Sequence, residues 1–263
     1  MDFWSALLLG IVQGVTEFLP VSSSGHLEIA KVILGETVKE EGLLFTIVLH
    51  TATALSTILV FRKEISEILK GLLEFKNNES WRFTLLIIIS MVPAAIVGLF
   101  LEDQIALLFE GNLLLVGGAL LLTALLLRLA DRQSKDKNPL TTKNAAIIGL
   151  TQAIAILPGI SRSGSTIATA VLLGIDREKA ARFSFLMVIP LIVGSMLKSI
   201  LDYDSTEMEI SIMPLFVGFI AALLTGIVAC RWMIALVKKS QLFYFALYCL
   251  VVGMLSLSYE FFG

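Results

Sequence analysis

Residues 13–26 have the sequence QGVTEFLPVSSSGH, and this polar stretch interrupts an apolar segment that runs from Trp4 to about Leu34. A second apolar segment, from Asn144 to about Gly174, is interrupted by LPGISRSGST at residues 157–166. Each uninterrupted half has roughly 10 to 16 residues, whereas a helix needs about 20 apolar residues to cross a bilayer. Neither half of either segment is therefore long enough to span a membrane alone.

The composition around these two broken segments is that of a membrane protein. Hydrophobic residues make up 57% of the 263 residues and charged residues only 16%, against about 25% charged residues in a typical soluble domain. A soluble fold of this size cannot hide that much apolar surface, whereas a bilayer can. The length fits a single membrane domain spanning residues 1–263. The two cysteines, Cys230 and Cys249, lie in apolar stretches and indicate neither a metal site nor a disulfide framework.

Six other apolar runs are long enough to cross about 30 Å of hydrocarbon at about 1.5 Å per residue. We predict membrane-spanning helices at Leu43–Phe61, Phe83–Leu101, Leu113–Ala130, Phe183–Leu201, Ile212–Cys230 and Leu242–Tyr259.

The two broken segments resemble each other, which indicates an internal repeat. The matching positions, 138 or 139 residues apart, are Gly10 and Gly149, Gln13 and Gln152, Leu19 and Leu157, Pro20 and Pro158, Gly25 and Gly164, and Leu34 and Leu173. Three long apolar runs follow each break, so the first repeat covers about 1–135 and the second about 140–263. Paired interrupted segments in two halves of a membrane protein are typical of a transporter-like binding site at the repeat interface.

The distribution of Lys and Arg predicts the topology. The loops at 61–83 and 130–144 are basic, as are the loops after the second broken segment and before the last apolar run. Glu102–Asn112 and Asp202–Ser211 contain no Lys or Arg. Basic loops stay in the cytoplasm, so the second broken segment enters and leaves on that side.

By the repeat, the first broken segment is re-entrant as well. Each half crosses the membrane three times. Because three is an odd number, the second half starts on the opposite side of the membrane and has the inverted orientation. We therefore predict an all-α integral membrane protein, an inverted-topology repeat with six transmembrane helices and two re-entrant helical hairpins whose tips meet near the midplane. Phe75–Asn78 and Ser134–Lys137 are expected on the cytoplasmic side, and the two loops without Lys or Arg outside.

The first break concentrates reactive side chains. Gln13 and Glu17 are four residues apart and share one helix face. An ionisable Glu17 and a His26 inside an apolar segment are costly and usually functional. The alternative is that they form a structural hydrogen-bonded pair at a helix contact. The residues between them that we expect to contact substrate or take part in catalysis are Ser22, Ser23, Ser24 and Gly25.

The second break has the chemistry of a phosphate-binding turn. Arg162 at membrane depth needs an anionic partner, and its planar fork suits phosphate or carboxylate. Small residues let backbone N–H groups face an anion at the start of a helix; here they are Ser161, Ser163 and Gly164, with Thr166 following. Alternatively, Arg162 pairs with Glu17 and locks the two hairpins together. His50, inside an apolar run, either lines the cavity or makes a structural hydrogen bond.

These two motifs resemble those of the undecaprenyl-diphosphate phosphatase family, also called bacitracin-resistance proteins, and the resemblance covers essentially the whole chain. It implies dephosphorylation of undecaprenyl diphosphate to the monophosphate, recycling of the lipid carrier for peptidoglycan synthesis, a bacterial inner membrane and an active site reached from the outer face. The residues that match the family's functional positions are Glu17, Ser22, Ser23, His26, Arg162 and Thr166.

The resemblance also implies dependence on a divalent cation, Mg²⁺ or Ca²⁺. Many family members have a second Glu where this chain has Gln13, so Glu17, with Gln13 and the substrate's phosphates, is expected to hold it. Expected partners are a polyprenyl diphosphate and membrane lipids, with a homodimer left open and no nucleic acid.

Two questions stay open at this stage. The nucleophile is either Ser23, activated by Glu17 or His26, or His26 itself. Arg162 clamps the diphosphate in both cases. The rival function is a polyprenyl-phosphate flippase, with or without phosphatase activity, because inverted repeats with paired broken hairpins are also what transporters use.

Overall fold

The computed structural model describes residues 1–34, 41–101, 104–105, 107–109, 112–133, 138–202, 212–239 and 241–262. Within these ranges the chain is helical apart from turns, a 3-10 turn at Leu107–Phe109 and one isolated β-bridge between Asn138 and Ile175. The predicted all-α class is confirmed. The α-helices are α1 Phe3–Thr16, α2 Ser23–Leu34, α3 Glu41–Val60, α4 Arg62–Leu73, α5 Glu79–Phe100, α6 Leu113–Arg132, α7 Thr142–Ile154, α8 Arg162–Leu172, α9 Arg177–Asp202, α10 Ile212–Lys238 and α11 Leu242–Phe262.

Five of these helices, α5, α6, α9, α10 and α11, are long and apolar enough to cross a membrane. The count rises to six if α3 and α4, which are bent by 76° at their junction, together form one span. Each of the six predicted apolar runs lies largely within one of these helices, the first of them in α3. The chain is a multi-pass membrane protein with five to six candidate spans among its described residues.

The basic loop predicted at 61–83 contains a helix, α4, that the sequence analysis did not identify. No residue of α4 is buried, and two of its leucines, Leu69 and Leu73, are 55% and 72% exposed. The charged residues from which we predicted a cytoplasmic loop also belong to a short amphipathic helix, whose apolar positions follow the helical period.

Each broken segment folds into two short helices that contact each other, α1 with α2 and α7 with α8. The first helix of each pair packs against a long helix of the other half of the chain: α1 against α10 and α7 against α5. Small residues bring these helices close together. A Cβ added at Gly10 would lie 2.5 Å from the carbonyl oxygen of Gly218, and one added at Gly149 would lie 2.5 Å from that of Ser90. The packing around the two broken segments is thus reciprocal.

Two predicted loops lie almost wholly or wholly outside the described residues: Asp202–Ser211, of which only Asp202 is described, and the inner loop Ser134–Lys137. The other loop without Lys or Arg, Glu102–Asn112, is described in part, at residues 104–105, 107–109 and 112.

Candidate functional site

The two breaks are in direct contact, as the sequence repeat predicts for the hairpin tips. A Cβ added at Gly164 would lie 2.9 Å from the Cβ of Pro20, and one added at Gly25 would lie 3.1 Å from the Cα of Gly159. Gly159 itself has a φ of 89°, in the left-handed region that favours glycine. The polar residues of both breaks therefore belong to one site.

The same serine cap starts the second helix of each pair. Oγ of Ser22 accepts a hydrogen bond from the N–H of Gly25 at 3.2 Å, and Oγ of Ser161 accepts one from the N–H of Gly164 at 3.0 Å. Such caps satisfy N–H groups that a helix start leaves free. The Gly164 N–H, which we expected to face an anion, is therefore occupied by the cap.

Glu17 is the centre of the site. It ends α1 and is buried, and Nε2 of Gln13 donates to its Oε2 at 3.0 Å. Oγ of Ser23 donates to the same oxygen at 2.6 Å, and Arg162 donates to Oε1. The prediction that Gln13 and Glu17 share a helix face is confirmed. The structure also contains the ion pair between Arg162 and Glu17, which was the alternative considered for Arg162.

The ion pair between Glu17 and Arg162 is unevenly buried. The side chain of Glu17 is 5% exposed and that of Arg162 is 20% exposed. A buried carboxylate is stabilised only when it is paired and hydrogen-bonded, and Glu17 meets both conditions. The more exposed guanidinium keeps N–H groups that can contact an anion from the open side, because arginine has five N–H donors.

Only one serine of the triple-serine run contacts the carboxylate. Ser23 is half-buried and bonded to Glu17, whereas Oγ of Ser24 lies 3.4 Å from Oγ of Ser22. Ser22 is buried and has a φ of 70°, which turns the chain sharply before α2. The tertiary structure thus separates three identical side chains into three different positions.

The hydroxyl groups of Ser161, Ser163 and Thr166 in the second break are engaged in hydrogen bonds within the protein, whereas that of Ser165 is buried without a partner among the described residues. Oγ of Ser163 donates to the carbonyl oxygen of Leu19 at 3.3 Å, which ties the second break to the first. Oγ1 of Thr166 lies 2.6 Å from Oγ of Ser184 in α9. Ser161, Ser163 and Thr166 are all buried. Their contacts hold Arg162 in place, and their predicted contact with substrate stays a prediction.

His26 does not contact Glu17 and has other partners. Its Nδ1 lies 2.8 Å from the carbonyl oxygen of Ser22, and its Nε2 lies 2.8 Å from the hydroxyl of Tyr248 in α11. The two rings stack at a centroid distance of 5.5 Å and an angle of 14°. No pattern in the sequence singles out Tyr248, because an aromatic residue in an apolar helix is ordinary in a membrane protein.

His50 combines both of the roles considered for it. Its Nδ1 lies 2.8 Å from the carbonyl oxygen of Thr46, a structural hydrogen bond within α3. Its Nε2 lies 3.9 Å from Oε2 of Glu17, so the ring also borders the site.

The donors that could hold a cation are Glu17 and Gln13. Among the described residues, no group of three or more His, Cys, Asp and Glu side chains is arranged to hold a metal ion. Oε1 of Gln13, however, is buried without a hydrogen-bond partner in that part of the chain. A carboxylate and an amide oxygen are ligands that Mg²⁺ and Ca²⁺ accept, with the remaining positions filled by water or phosphate.

Comparison with known proteins extends over nearly the whole chain. A family model described as bacitracin resistance protein BacA matches residues 6–255. A protein of Christiangramia forsetii named undecaprenyl-diphosphatase is 58% identical over 262 residues, which cover 99% of each chain. Proteins of the same name from Bacteroides fragilis and Methanosphaera stadtmanae are 48% and 37% identical, and each alignment covers 98% of both chains.

Proposed function

Because the chain belongs to the bacitracin resistance protein BacA family, we propose that it hydrolyses undecaprenyl diphosphate, the activity named in its relatives. The chain is a membrane phosphatase that converts this lipid to undecaprenyl phosphate and releases phosphate. The names of the relatives favour this function over the flippase alternative. The product is the lipid carrier that peptidoglycan synthesis consumes, so the enzyme recycles it.

One observation carries the assignment of roles: Ser23 donates to Oε2 of Glu17 at 2.6 Å while Arg162 donates to Oε1 of the same carboxylate. A hydroxyl bonded to a carboxylate is an activated nucleophile. A guanidinium beside it can bind the phosphate that the nucleophile attacks. The proposed nucleophile and the proposed charge clamp thus both contact the proposed base, Glu17.

In the first step, Oγ of Ser23 attacks the terminal phosphorus of the diphosphate and its proton passes to Glu17. The bond from that phosphorus to the bridging oxygen breaks, and undecaprenyl phosphate leaves with the electron pair. Arg162 stabilises the charge on the phosphoryl oxygens during the transfer. The phosphoryl group is then esterified to Ser23.

In the second step, water attacks the phosphoserine and gives a proton to Nε2 of His26. The bond between phosphorus and Oγ breaks, Ser23 regains its proton from Glu17, and phosphate leaves. His26 lies three residues after Ser23 in α2, so both side chains lie on the same face of the helix. His26 returns its proton to solvent and the cycle is complete.

The contacts of His26 favour Ser23 as the nucleophile. Both ring nitrogens of His26 have partners, the carbonyl oxygen of Ser22 and the hydroxyl of Tyr248. Neither of these partners is Glu17 or Arg162. Ser23, by contrast, already contacts the base that would take its proton.

Glu17 and Oε1 of Gln13 would hold a divalent cation, Mg²⁺ or Ca²⁺, together with the phosphates of the substrate. The unpartnered Oε1 of Gln13 supports this assignment. When bound, the cation would neutralise negative charge on the diphosphate.

We also propose how the helices are arranged in the membrane. Six spanning helices and two re-entrant hairpins, α1–α2 and α7–α8, form an inverted repeat of about 1–135 and 140–263. The reciprocal packing of α1 on α10 and of α7 on α5 supports it, as do the matching serine caps of α2 and α8.

We further place the chain in the bacterial inner membrane with its site open to the outer face, and a homodimer stays a prediction. The basic loops predict the orientation of the chain in the membrane. The first hairpin contains Glu17 and Ser23. Substrate is therefore expected to reach the site from the same side of the membrane as that from which this hairpin enters.

Phosphate release and lipid binding, measured on the same purified proteins in detergent, test the function. We expect wild type to release phosphate from undecaprenyl diphosphate in the presence of Mg²⁺ or Ca²⁺. Glu17→Gln and His26→Ala should abolish release but leave binding largely intact, because interactions made only in the transition state lower turnover without weakening affinity. A wild type that binds the lipid but releases no phosphate would instead support a transporter.

A further inference from the structure

The contact between His26 and Tyr248 brings a helix from outside both breaks into the site. Tyr248 lies in the last helix, α11, and is 222 residues from His26 in sequence. The helix α2 packs mainly against α1 and α6, so the aromatic pair is not part of an extensive interface with α11. Tyr248 is only partly buried, with 44% of its surface exposed.

The partners of the two ring nitrogens define the tautomer of His26. A carbonyl oxygen can only accept, so Nδ1, 2.8 Å from the carbonyl oxygen of Ser22, must carry a proton. In the neutral ring Nε2 then carries the lone pair and accepts from the Tyr248 hydroxyl, also 2.8 Å away. This is the protonation state that the proposed second step requires, because Nε2 is the atom that takes the proton from water.

The hydroxyl of Tyr248 suits both protonation states of His26. A phenol donates to the neutral Nε2 and, after its proton rotates, accepts from a protonated Nε2. The contact can therefore survive the gain and loss of a proton by His26. The parallel stacking of the two rings, at 14°, further restricts rotation of the imidazole.

A second contact fixes α11 at the same place. Sγ of the buried Cys249, the residue after Tyr248, donates to the carbonyl oxygen of Pro20 at 3.5 Å. The carbonyl oxygen of Ser22 is constrained as well, because it also accepts from the backbone N–H of His26 at 3.1 Å. Both partners of the imidazole are thus held by the first break.

We propose that Tyr248 is a positioning residue of the phosphatase, which fixes the orientation of His26 in its Nδ1–H tautomer, so that the lone pair of Nε2 keeps its direction during hydrolysis of the phosphoserine. The catalytic part of this inference rests on the proposed function. The tautomer part rests on the hydrogen bonds alone and can be tested separately.

The tautomer is measurable directly, because the chain contains only two histidines. We would label the full-length protein with ¹⁵N-histidine in detergent and assign His26 by the loss of the other signal in His50→Gln. Wild type should show the Nδ1–H tautomer for His26. Tyr248→Phe, which keeps the ring but loses the hydroxyl, should keep this tautomer, because Nδ1 still donates to the carbonyl oxygen of Ser22, but it should shift the Nε2 resonance. Tyr244→Phe, one turn earlier in α11 and 65% exposed, is the matched control and should not shift it.

Kinetics on the same proteins test the catalytic role. Tyr248→Phe should lower kcat by about tenfold or more, within the range of general acid–base effects, while KM stays within about twofold. Tyr248→Gln keeps a hydrogen-bond donor and serves as the second variant, with kcat expected between those of wild type and Tyr248→Phe.

A Nε2 resonance of His26 that is the same in Tyr248→Phe as in Tyr244→Phe would overturn the proposal, and so would a kcat within about twofold of Tyr244→Phe. If wild type releases no phosphate, the proposed function fails, whereas the comparison of Nε2 resonances still decides whether Tyr248 positions His26.

Discussion

Arg162 donates a hydrogen bond to the carboxylate of Glu17, although the two residues are 145 positions apart in the sequence and lie in different broken segments. Their contact joins the two halves of the chain at the candidate site. It also places the base and the phosphate clamp of the proposed mechanism against each other, so that an arriving phosphate competes with Glu17 for the guanidinium.

Replacing Arg162 with Lys should impair catalysis more than folding. Lysine keeps a cationic partner for the buried Glu17 but loses the planar fork that binds two phosphate oxygens. We expect a loss of about 2–4 kcal/mol in transition-state stabilisation, as for removal of a preorganised donor. Phosphate release against lipid concentration measures it. Arg128→Lys, in a more exposed pair with Asp131, is the control, and near-wild-type turnover of Arg162→Lys would make its role structural.

Ser23→Ala and Ser24→Ala should have very different effects, although the two residues are neighbours. Only Ser23 contacts Glu17, so its loss removes the nucleophile and should reduce phosphate release to background. Ser24 contacts Ser22, and its replacement should leave most of the activity. Trapping a phosphoserine after a short incubation with labelled substrate provides a second measurement. Full activity of Ser23→Ala would exclude it as the nucleophile.

The contact between the two breaks predicts that Gly164→Ala destabilises the protein. The added Cβ would lie 2.9 Å from the Cβ of Pro20 and 2.9 Å from Oγ of the capping Ser161. Such overpacking costs about 1–3 kcal/mol, more than the roughly 1 kcal/mol that alanine gains over glycine in a helix. Gly118→Ala, with no atom within 4 Å of the added Cβ, should be neutral or stabilising. Thermal unfolding in detergent compares them, and equal melting temperatures would contradict the close contact.

Accessibility of engineered cysteines should distinguish the two sides of the membrane. Leu107 is 66% exposed in the 3-10 turn before α6, and Asn77 is exposed in the turn after α4. We expect an impermeant thiol reagent to label Leu107→Cys in intact cells and Asn77→Cys only after lysis. The native Cys230 and Cys249 are buried and should react poorly. Strong labelling of Asn77→Cys in intact cells would contradict the inverted-repeat topology.

Gln13→Glu should strengthen cation binding at the site. It places a second carboxylate beside Glu17, and oxygen ligands with more negative charge bind Mg²⁺ and Ca²⁺ more tightly. The cation concentration that gives half-maximal activity should fall, and Mn²⁺ binding followed by electron paramagnetic resonance should tighten. Gln152→Glu is the matched control, because Gln152 occupies the equivalent position in the second repeat and contacts Ser90. Equal cation affinities in the two variants would exclude a ligand role for position 13.

The sequence by itself determined the membrane class, the positions of the two breaks and the motifs that carry the chemistry. These are local properties: apolar runs of sufficient length, Pro20 and the polar residues after it, and a serine three residues before a glycine at each helix start. The pairing of Gln13 with Glu17 followed from helical spacing alone. The helix that begins at Arg62 was not identified, because charges that predict a cytoplasmic loop are equally compatible with an amphipathic helix.

Only the tertiary structure decided which side chains meet. A helix turns about 100° per residue, so the rotation of α2 determines that Ser23 and not Ser24 faces Glu17. The contact between His26 and Tyr248 depends on where α11 packs against the first break, more than 200 residues away. No local pattern encodes such a distance, because it is set by the packing of many side chains along whole helices.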